Sequence, residues 1–260
     1  MLKDKVAIVT GSTSGIGLAI ARELAQEGCH VMLNGFGNAM EIEELGHEFQ
    51  SKFGIKVGYS PADMAKLDQI REMVHQTEKM FGSVDVLINN AGIQFTAPTE
   101  NFPAEKWEAI LSINLSAAFY AIQTALPGIQ KRGWGRIINI ASAHGLVASV
   151  HKPAYVAAKH GLVGLTKVVA LENAQTDITC NALCPGWVHT PLVQRQIDDR
   201  AALEGISVEM ATRELLGEKQ PSLRFVQPDH LGKMVVFLCS DAGSSITGAS
   251  LSMDGGWIAQ

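Results

Sequence analysis

The chain has 260 residues, 47% of them hydrophobic and 18% charged, and its 26 acidic and 21 basic side chains leave a net charge of −5. This composition supports a packed core and excludes a disordered chain, and no Lys/Arg run is long enough to track a phosphate backbone, so no nucleic-acid partner is expected. Cys29, Cys180, Cys184 and Cys239 read as small packed hydrophobes of a reducing compartment, and the eight histidines show no ligand spacing, so no metal is expected.

The opening MLKDKVAIVT passes into a strand pattern without a secretory apolar region. No run of ~18 apolar residues follows, so the expectation is a cytoplasmic chain with no membrane partner. Short β-rich runs then recur in order: VAIVT (6–10), HVMLN (30–34), IKVGY (55–59), VDVLI (84–88), GRIINIA (135–141), DITCNAL (177–183) and ASLSM (249–253). Each interval is long enough for a helix. Strands alternating with helices form right-handed βαβ units, which predicts an α/β, Rossmann-type, doubly wound sheet of seven parallel strands. No linker divides the chain, so residues 1–260 are expected as a single domain. Residues 186–225 break the rhythm with two short helical patterns and no strand, and an insertion of that length is expected to be a lid over a ligand.

Between the first strand and the pattern IGLAIARELAQEG stands TGSTSGIG, residues 10–17. Glycines there let backbone N–H groups and a helix N-terminus approach a phosphate. The spacing G-x-x-x-G-x-G differs from the G-x-G-x-x-G fingerprint, and alone it also fits an ordinary strand-to-helix turn. Further on, Tyr155 and Lys159 are four apart, which puts both on one face of a helix. A phenol beside an ammonium suits proton exchange with a substrate hydroxyl, because the cation favours phenolate.

TGSTSGIG, Asn89-Asn90-Ala91-Gly92, Asn114, Ser142, Tyr155 with Lys159, and Pro185-Gly186, in that order, resemble the short-chain dehydrogenase/reductase family across essentially the whole chain. The resemblance implies a nicotinamide dinucleotide, with Gly11, Thr13, Ser14, Gly15, Ile16 and Gly17 turning beneath its pyrophosphate and Asn90, Ala91 and Gly92 beside its adenosine half. Tyr155 is then the acid/base, Lys159 lowers its pKa and holds the ribose, Ser142 bonds the reacting oxygen, and Asn114 completes a proton relay through water. Pro185, Gly186, Val188 and Thr190 hold the nicotinamide end, although Thr190 equally suits a cap on the helix beginning at Pro191. The turn Asn34-Gly35-Phe36-Gly37 after the second strand carries neither an acid nor a base. A 2′-phosphate would lack a counter-charge there, so NAD is the expected cofactor. Phe36 either lines the adenine pocket or packs on the next helix. Asp63 either contacts adenine or starts a helix.

Gln94, His144 and Lys152 gather around this signature, and a small anionic substrate needs such donors, since a buried carboxylate without partners is costly. As bland alternatives, Lys152 is a solvated lysine and His144 a loop hydrogen-bonder. The stretches NNAGIQ, IASAHGLVAS, KPAYVAAKHGLVG, CPGWVHTPLV, EKQPSLRFV and MDGGW are similar to the bacterial 3-hydroxybutyrate dehydrogenase branch of the family. That similarity implies reversible oxidation of (R)-3-hydroxybutyrate to acetoacetate, in a homotetramer. It assigns the carboxylate to Gln94, His144, Lys152 and either Gln196 or Gln194, and a small apolar wall to Trp187 and Trp257; Trp257 also suits a subunit contact. Two other readings remain: an NADP-dependent 3-oxoacyl thioester reductase with the same fold, and a nucleotide-sensing protein without turnover.

Overall fold

The computed structural model describes residues 2–259. Among these, the apolar runs form seven parallel strands: β1 Val6–Val9, β2 His30–Asn34, β3 Val57–Ser60, β4 Val86–Asn89, β5 Trp134–Ile140, β6 Asp177–Pro185 and β7 Ser250–Met253. They lie in one sheet in the order β3-β2-β1-β4-β5-β6-β7. The helices are α1 Gly15–Gln26, α2 Ala39–Phe53, α3 Leu67–Phe81, α4 Ala104–Leu111, α5 Ala117–Arg132, α6 Pro153–Glu172, α7 Pro191–Glu204, α8 Val208–Gly217 and α9 Pro228–Cys239. A π-helical turn, Ser112–Ser116, joins α4 to α5, so that Ala104–Arg132 runs as one helix. This is the expected doubly wound Rossmann-type architecture.

The period of two along each strand sends neighbouring side chains to opposite faces. Ala7, Val9, Val31 and Leu33 are buried against Ile20 and Leu24 of α1 and Leu231 and Val235 of α9. Ile8, Met32, Leu87 and Ile137 meet Ile70 and Val74 of α3 and Ala121 and Ile129 of α5 on the other face. Each large apolar side chain so buried stabilises by roughly 1.5–3 kcal/mol, against ~1 kcal/mol for a helix cap, so the faces rather than the turns hold the register. Ala104–Arg132 and Pro153–Glu172 are apolar enough by composition to span a membrane. Their apolar residues Ala121, Ile129, Leu162 and Val169 pack into these cores instead.

Only β2 keeps its expected bounds; β1, β5 and β7 shift by one residue, and three strands shift by two residues at one end. β3 starts at Val57 because pairing with β2 begins at Val31↔Val57, and Ile55 packs into the core from the preceding loop. β4 covers Val86–Asn89 rather than 84–88, its pairing with β1 beginning at Ala7↔Val86. β6 continues to Pro185 because β7 pairs beside it as far as Pro185↔Met253. The 186–225 segment folds as α7 and α8, and its return is pinned by one bridge, Val188↔Val226. β1 is flanked by β2 and β4, so consecutive connections leave it in opposite directions; ligands of such sheets bind beyond the strand ends at this point.

Candidate active site

The glycine turn leaves β1 at that point. Gly11 and Gly15 have φ of +63° and +56°, in the left-handed region that favours glycine. At Gly17 the reason is space: a Cβ would lie 2.3 Å from the Gly11 carbonyl oxygen. The turn is braced from both neighbours. Asn90 Nδ2 donates to the carbonyls of Thr10 and Gly11 at 2.9 and 3.1 Å, and Thr10 Oγ1 accepts from the Asn90 and Ala91 amides at 2.9 and 3.0 Å. Asn34 Oδ1 accepts from the Gly11 amide at 3.1 Å while its Nδ2 donates to the Ser60 and Ala62 carbonyls. Ser14 stands at the N-cap of α1 without spending its side chain there, so the partly positive end of that helix opens toward the turn. Ile16, named for the cofactor, packs its side chain into the core, leaving its backbone to the turn.

At the adenosine end, Thr13 Oγ1 donates to the Phe36 carbonyl at 3.0 Å, and a Cβ on Gly35 would come within 2.5 Å of that Oγ1. Phe36 is 69% exposed, so the alternative of packing on α2 is overturned. Asp63 Oδ1 accepts from the Ala65 amide at 2.9 Å and its own amide donates to Gln69 Oε1 at 2.8 Å, an Asx turn that leads into α3.

Tyr155 and Lys159 share one face of α6, with Lys159 Nζ 5.6 Å from the centre of the Tyr155 ring. Nζ also donates to the Ile140 carbonyl at 2.7 Å, which ties the helix to the end of β5. Ser142 follows that strand, and its Oγ accepts from the His144 amide at 3.1 Å. Asn114 lies in the π-turn, a local irregularity common at functional sites. Its carboxamide bonds both backbone groups of Ile93, accepting from the amide at 2.8 Å and donating to the carbonyl at 2.9 Å. Gly92 sits against it, with a notional Cβ 3.5 Å from Asn114 Oδ1.

Burial pushes the Tyr155 phenol above its ordinary value, opposed by its hydrogen bond with Ser142. Burial also lowers the Lys159 ammonium to about 8, opposed by Cys184. Desolvation outweighs the Ser142 hydrogen bond, which leaves the phenol above its ordinary value.

The anion-binding candidates cluster partly. His144 is buried, its Nδ1 3.4 Å from Ser142 Oγ and its Nε2 2.9 Å from Ser149 Oγ. Its ring meets Tyr155 edge-on at 5.8 Å and Trp257 at 5.0 Å between centres. Trp257 lies 6.4 Å from Trp187, and Lys152 Nζ stands 5.7 Å from the centre of the Trp187 ring. His144 is lowered to about 4, first by burial and then by Lys152, Lys219 and His160. Lys152 is lowered by burial and Lys219, against the opposing pull of Glu218. It is half-buried. Gln94 is exposed on the loop after β4.

In the 186–225 segment, Gln194 bridges His189 and Asp198, whereas Gln196 is exposed on α7. Thr190 Oγ1 accepts from the Val193 amide at 3.3 Å, so the helix-cap alternative holds; its methyl is also 3.8 Å from a notional Cβ on Gly15, which brings this segment beside the glycine turn. Pro185 closes β6, and Gly186 and Val188 follow it toward the lid. A groove of about 460 Å³ lined by Leu33, Ile42, His47 and Tyr59 lies between α2 and the β2–β3 edge and shares no residue with this cluster.

Sequence reasoning missed Asn34 as the brace of the glycine turn, Ser149 behind His144, and Gln220 beneath Trp187. Each is a polar residue in an otherwise unremarkable loop or strand end. Their hydrogen bonds in the folded chain reveal them.

The model of the short chain dehydrogenase family matches residues 5–201. The chain is 56% identical to a D-beta-hydroxybutyrate dehydrogenase of Cupriavidus necator, covering 100% of both chains. It is 50% identical to one of Rhizobium meliloti, covering 98% of this chain and 99% of that one. Among solved structures, L-sorbose reductase of Gluconobacter frateurii complexed with NADPH and L-sorbose superposes with a TM-score of 0.94 at 30% identity, covering 100% of this chain and 98% of that one. With the glycine turn, the Ser142–Tyr155–Lys159 cluster and the doubly wound sheet already in place, these likenesses make the chain a member of the short chain dehydrogenase family.

Proposed function

We propose that this chain oxidises (R)-3-hydroxybutyrate reversibly to acetoacetate with NAD. One observation carries the reading: Lys152 and His144 stand beside Tyr155 against the paired rings of Trp187 and Trp257, a cationic and hydrogen-bonding corner with an apolar wall at a hydroxyl-handling phenol. The names of the relatives at 56% and 50% identity support it.

The cradle at Gly11, Gly15 and Gly17, where a Cβ would clash or strain, fits a dinucleotide pyrophosphate. Thr13, Ser14 and Ile16 complete that turn, and Asn90, Ala91 and Gly92 flank it. Phe36 and Asp63 lie at the adenosine end. No Lys or Arg stands between Asn34 and Asn38, which supports NAD over a 2′-phosphorylated cofactor. When bound, NAD supplies the hydride acceptor. Tyr155 takes the proton of the substrate hydroxyl, and Ser142 holds the same oxygen. Lys159 favours the phenolate and, with Pro185, Gly186, Val188 and Thr190, the nicotinamide riboside. Asn114, whose carboxamide also bonds Ile93, completes a proton relay through water. Lys152, His144 and Gln94 take the carboxylate, and closure of the 186–225 lid over one catalytic unit brings in Gln196, Gln194 being engaged elsewhere. Exposed Phe119 on α5 and Val168 and Leu171 on α6 support assembly into a homotetramer, and four buried, unpaired cysteines suit a cytoplasmic protein.

Purified protein is assayed for NAD and NADP reduction with both enantiomers of 3-hydroxybutyrate and of longer hydroxy acids. NAD-linked turnover of the R enantiomer is expected. Preferential reduction of acetoacetyl thioesters with NADPH would instead establish the 3-oxoacyl reductase reading.

A further inference from the structure

The Gln220 side chain is fully buried at the base of the lid, one residue beyond the Lys219 that faces His144 and Lys152. Its Oε1 accepts from the Trp187 amide at 2.8 Å, and its Nε2 donates to the Arg224 carbonyl. Its backbone amide donates to the Leu216 carbonyl at 2.7 Å, at the end of α8. A Cβ on Gly186 would lie 2.6 Å from Gln220 Oε1, and one on Gly255 would lie 2.7 Å from Gln220 Cγ. Main-chain bonds from the Val226 amide to the Trp187 carbonyl and from the Gly186 amide to the Met253 carbonyl already join the loop after β6 to its two neighbours. Gln220 adds to them: its carboxamide bonds the loop after β6 that carries Trp187 and the return of the lid, and its Cγ faces the C-terminal turn that carries Trp257. The last two are joined again by the Ser222 amide, which donates to the Gly255 carbonyl at 3.0 Å. The Asp254 carboxylate holds the C-terminal turn by accepting from the Gly256 and Ile258 amides, both at 3.0 Å.

We infer that Gln220 is a positioning residue that sets the spacing of the Trp187 and Trp257 walls, and so the size of substrate accepted, from the end of the lid. The substrate part of this rests on the 3-hydroxybutyrate reading above. A carboxamide is required because one end must accept from an N–H while the other donates to a C=O. A carboxylate presents two acceptors and repels the Arg224 carbonyl, whereas a protonated carboxyl restores the donor in nearly the same shape. The position is buried, which raises the pKa of a glutamate placed there and brings this exchange toward the neutral range.

The test is Gln220→Glu beside wild type and Gln220→Ala. At about pH 8.5 kcat/KM for 3-hydroxybutyrate is expected to fall about tenfold in Gln220→Glu, less than the hundredfold that a displacement of ~1 Å at a catalytic group can cause. Its discrimination against 3-hydroxypentanoate should weaken in parallel. Both defects should shrink, relative to wild type, as the pH falls to about 6, whereas Gln220→Ala stays impaired throughout. Hydrogen exchange follows the same variants without substrate: amides of 186–190 and 253–257 should lose protection in Gln220→Ala and regain it in Gln220→Glu at the acid end. Wild-type kinetics and exchange in Gln220→Glu at every pH overturn the inference, as does a lower melting temperature with an unchanged substrate-size ratio. If wild type does not turn over 3-hydroxybutyrate, the substrate reading fails by itself, and exchange alone decides whether Gln220 ties these segments, unchanged protection refuting it.

Discussion

Around Tyr155 stand the Ser142 hydroxyl, the edge of the His144 imidazole and the Lys159 ammonium. Removing the phenolic oxygen in Tyr155→Phe is expected to cut kcat by ~10²–10⁴, the usual span for a lost general base, while NADH binding followed by fluorescence persists. Full retention of turnover would end the acid/base assignment. Lys152→Ala should raise KM for 3-hydroxybutyrate about tenfold or more with a smaller change in kcat, since a hydrogen bond to a charged partner is worth ~1.5–3 kcal/mol. An unchanged KM would show that the ammonium points away from the substrate. His144 makes a stability prediction as well. Its folded pKa, about 4, lies below the ordinary value of 6.5, so the unfolded chain binds the extra proton first as pH falls. Its contribution is complete above about 6.5 and disappears as pH falls through about 4, an effect of up to ~3 kcal/mol. Melting temperatures measured across this window should decline less steeply in His144→Asn than in wild type.

At the scale of elements, the glycine turn is an agreement between β1, β2, β4 and α1 rather than a property of eight residues. Thr10, Asn34 and Asn90 hold it from three strands, and Gly17 lets the first turn of α1 touch the Gly11 carbonyl. Gly17→Ala places a methyl against rigid backbone, so it should destabilise by ~1–3 kcal/mol and abolish NADH binding. Normal cofactor affinity in that variant, titrated by fluorescence, would contradict the geometry. The pair α7 and α8 is a second unit of this kind: Arg200 on α7 bonds Glu204 on its own helix, Glu214 on α8 and Glu218 just beyond it, which ties the two helices together.

For the whole molecule, the proposed tetramer needs an apolar face that the described residues of one chain leave open, and the proposal places Leu171, 77% exposed on α6, in it. Leu171→Glu removes no core contact, so the chain should fold and elute as a smaller species in light scattering; an unaltered mass would place the interface elsewhere. The alternation of strands and helices, the glycine positions and the Tyr155–Lys159 spacing were legible in the sequence because each is a local pattern, encoded within one turn or one strand by side-chain size, period and helical geometry. The parallel sheet followed from that alternation by the handedness of βαβ units. Other features depended on partners tens of residues away. His144 meets Trp257, Gln220 meets Trp187, and the Asn114 carboxamide closes on Ile93. Even the direction of the Tyr155 shift was decided by burial, which exists only once distant elements have packed around the phenol and removed its water.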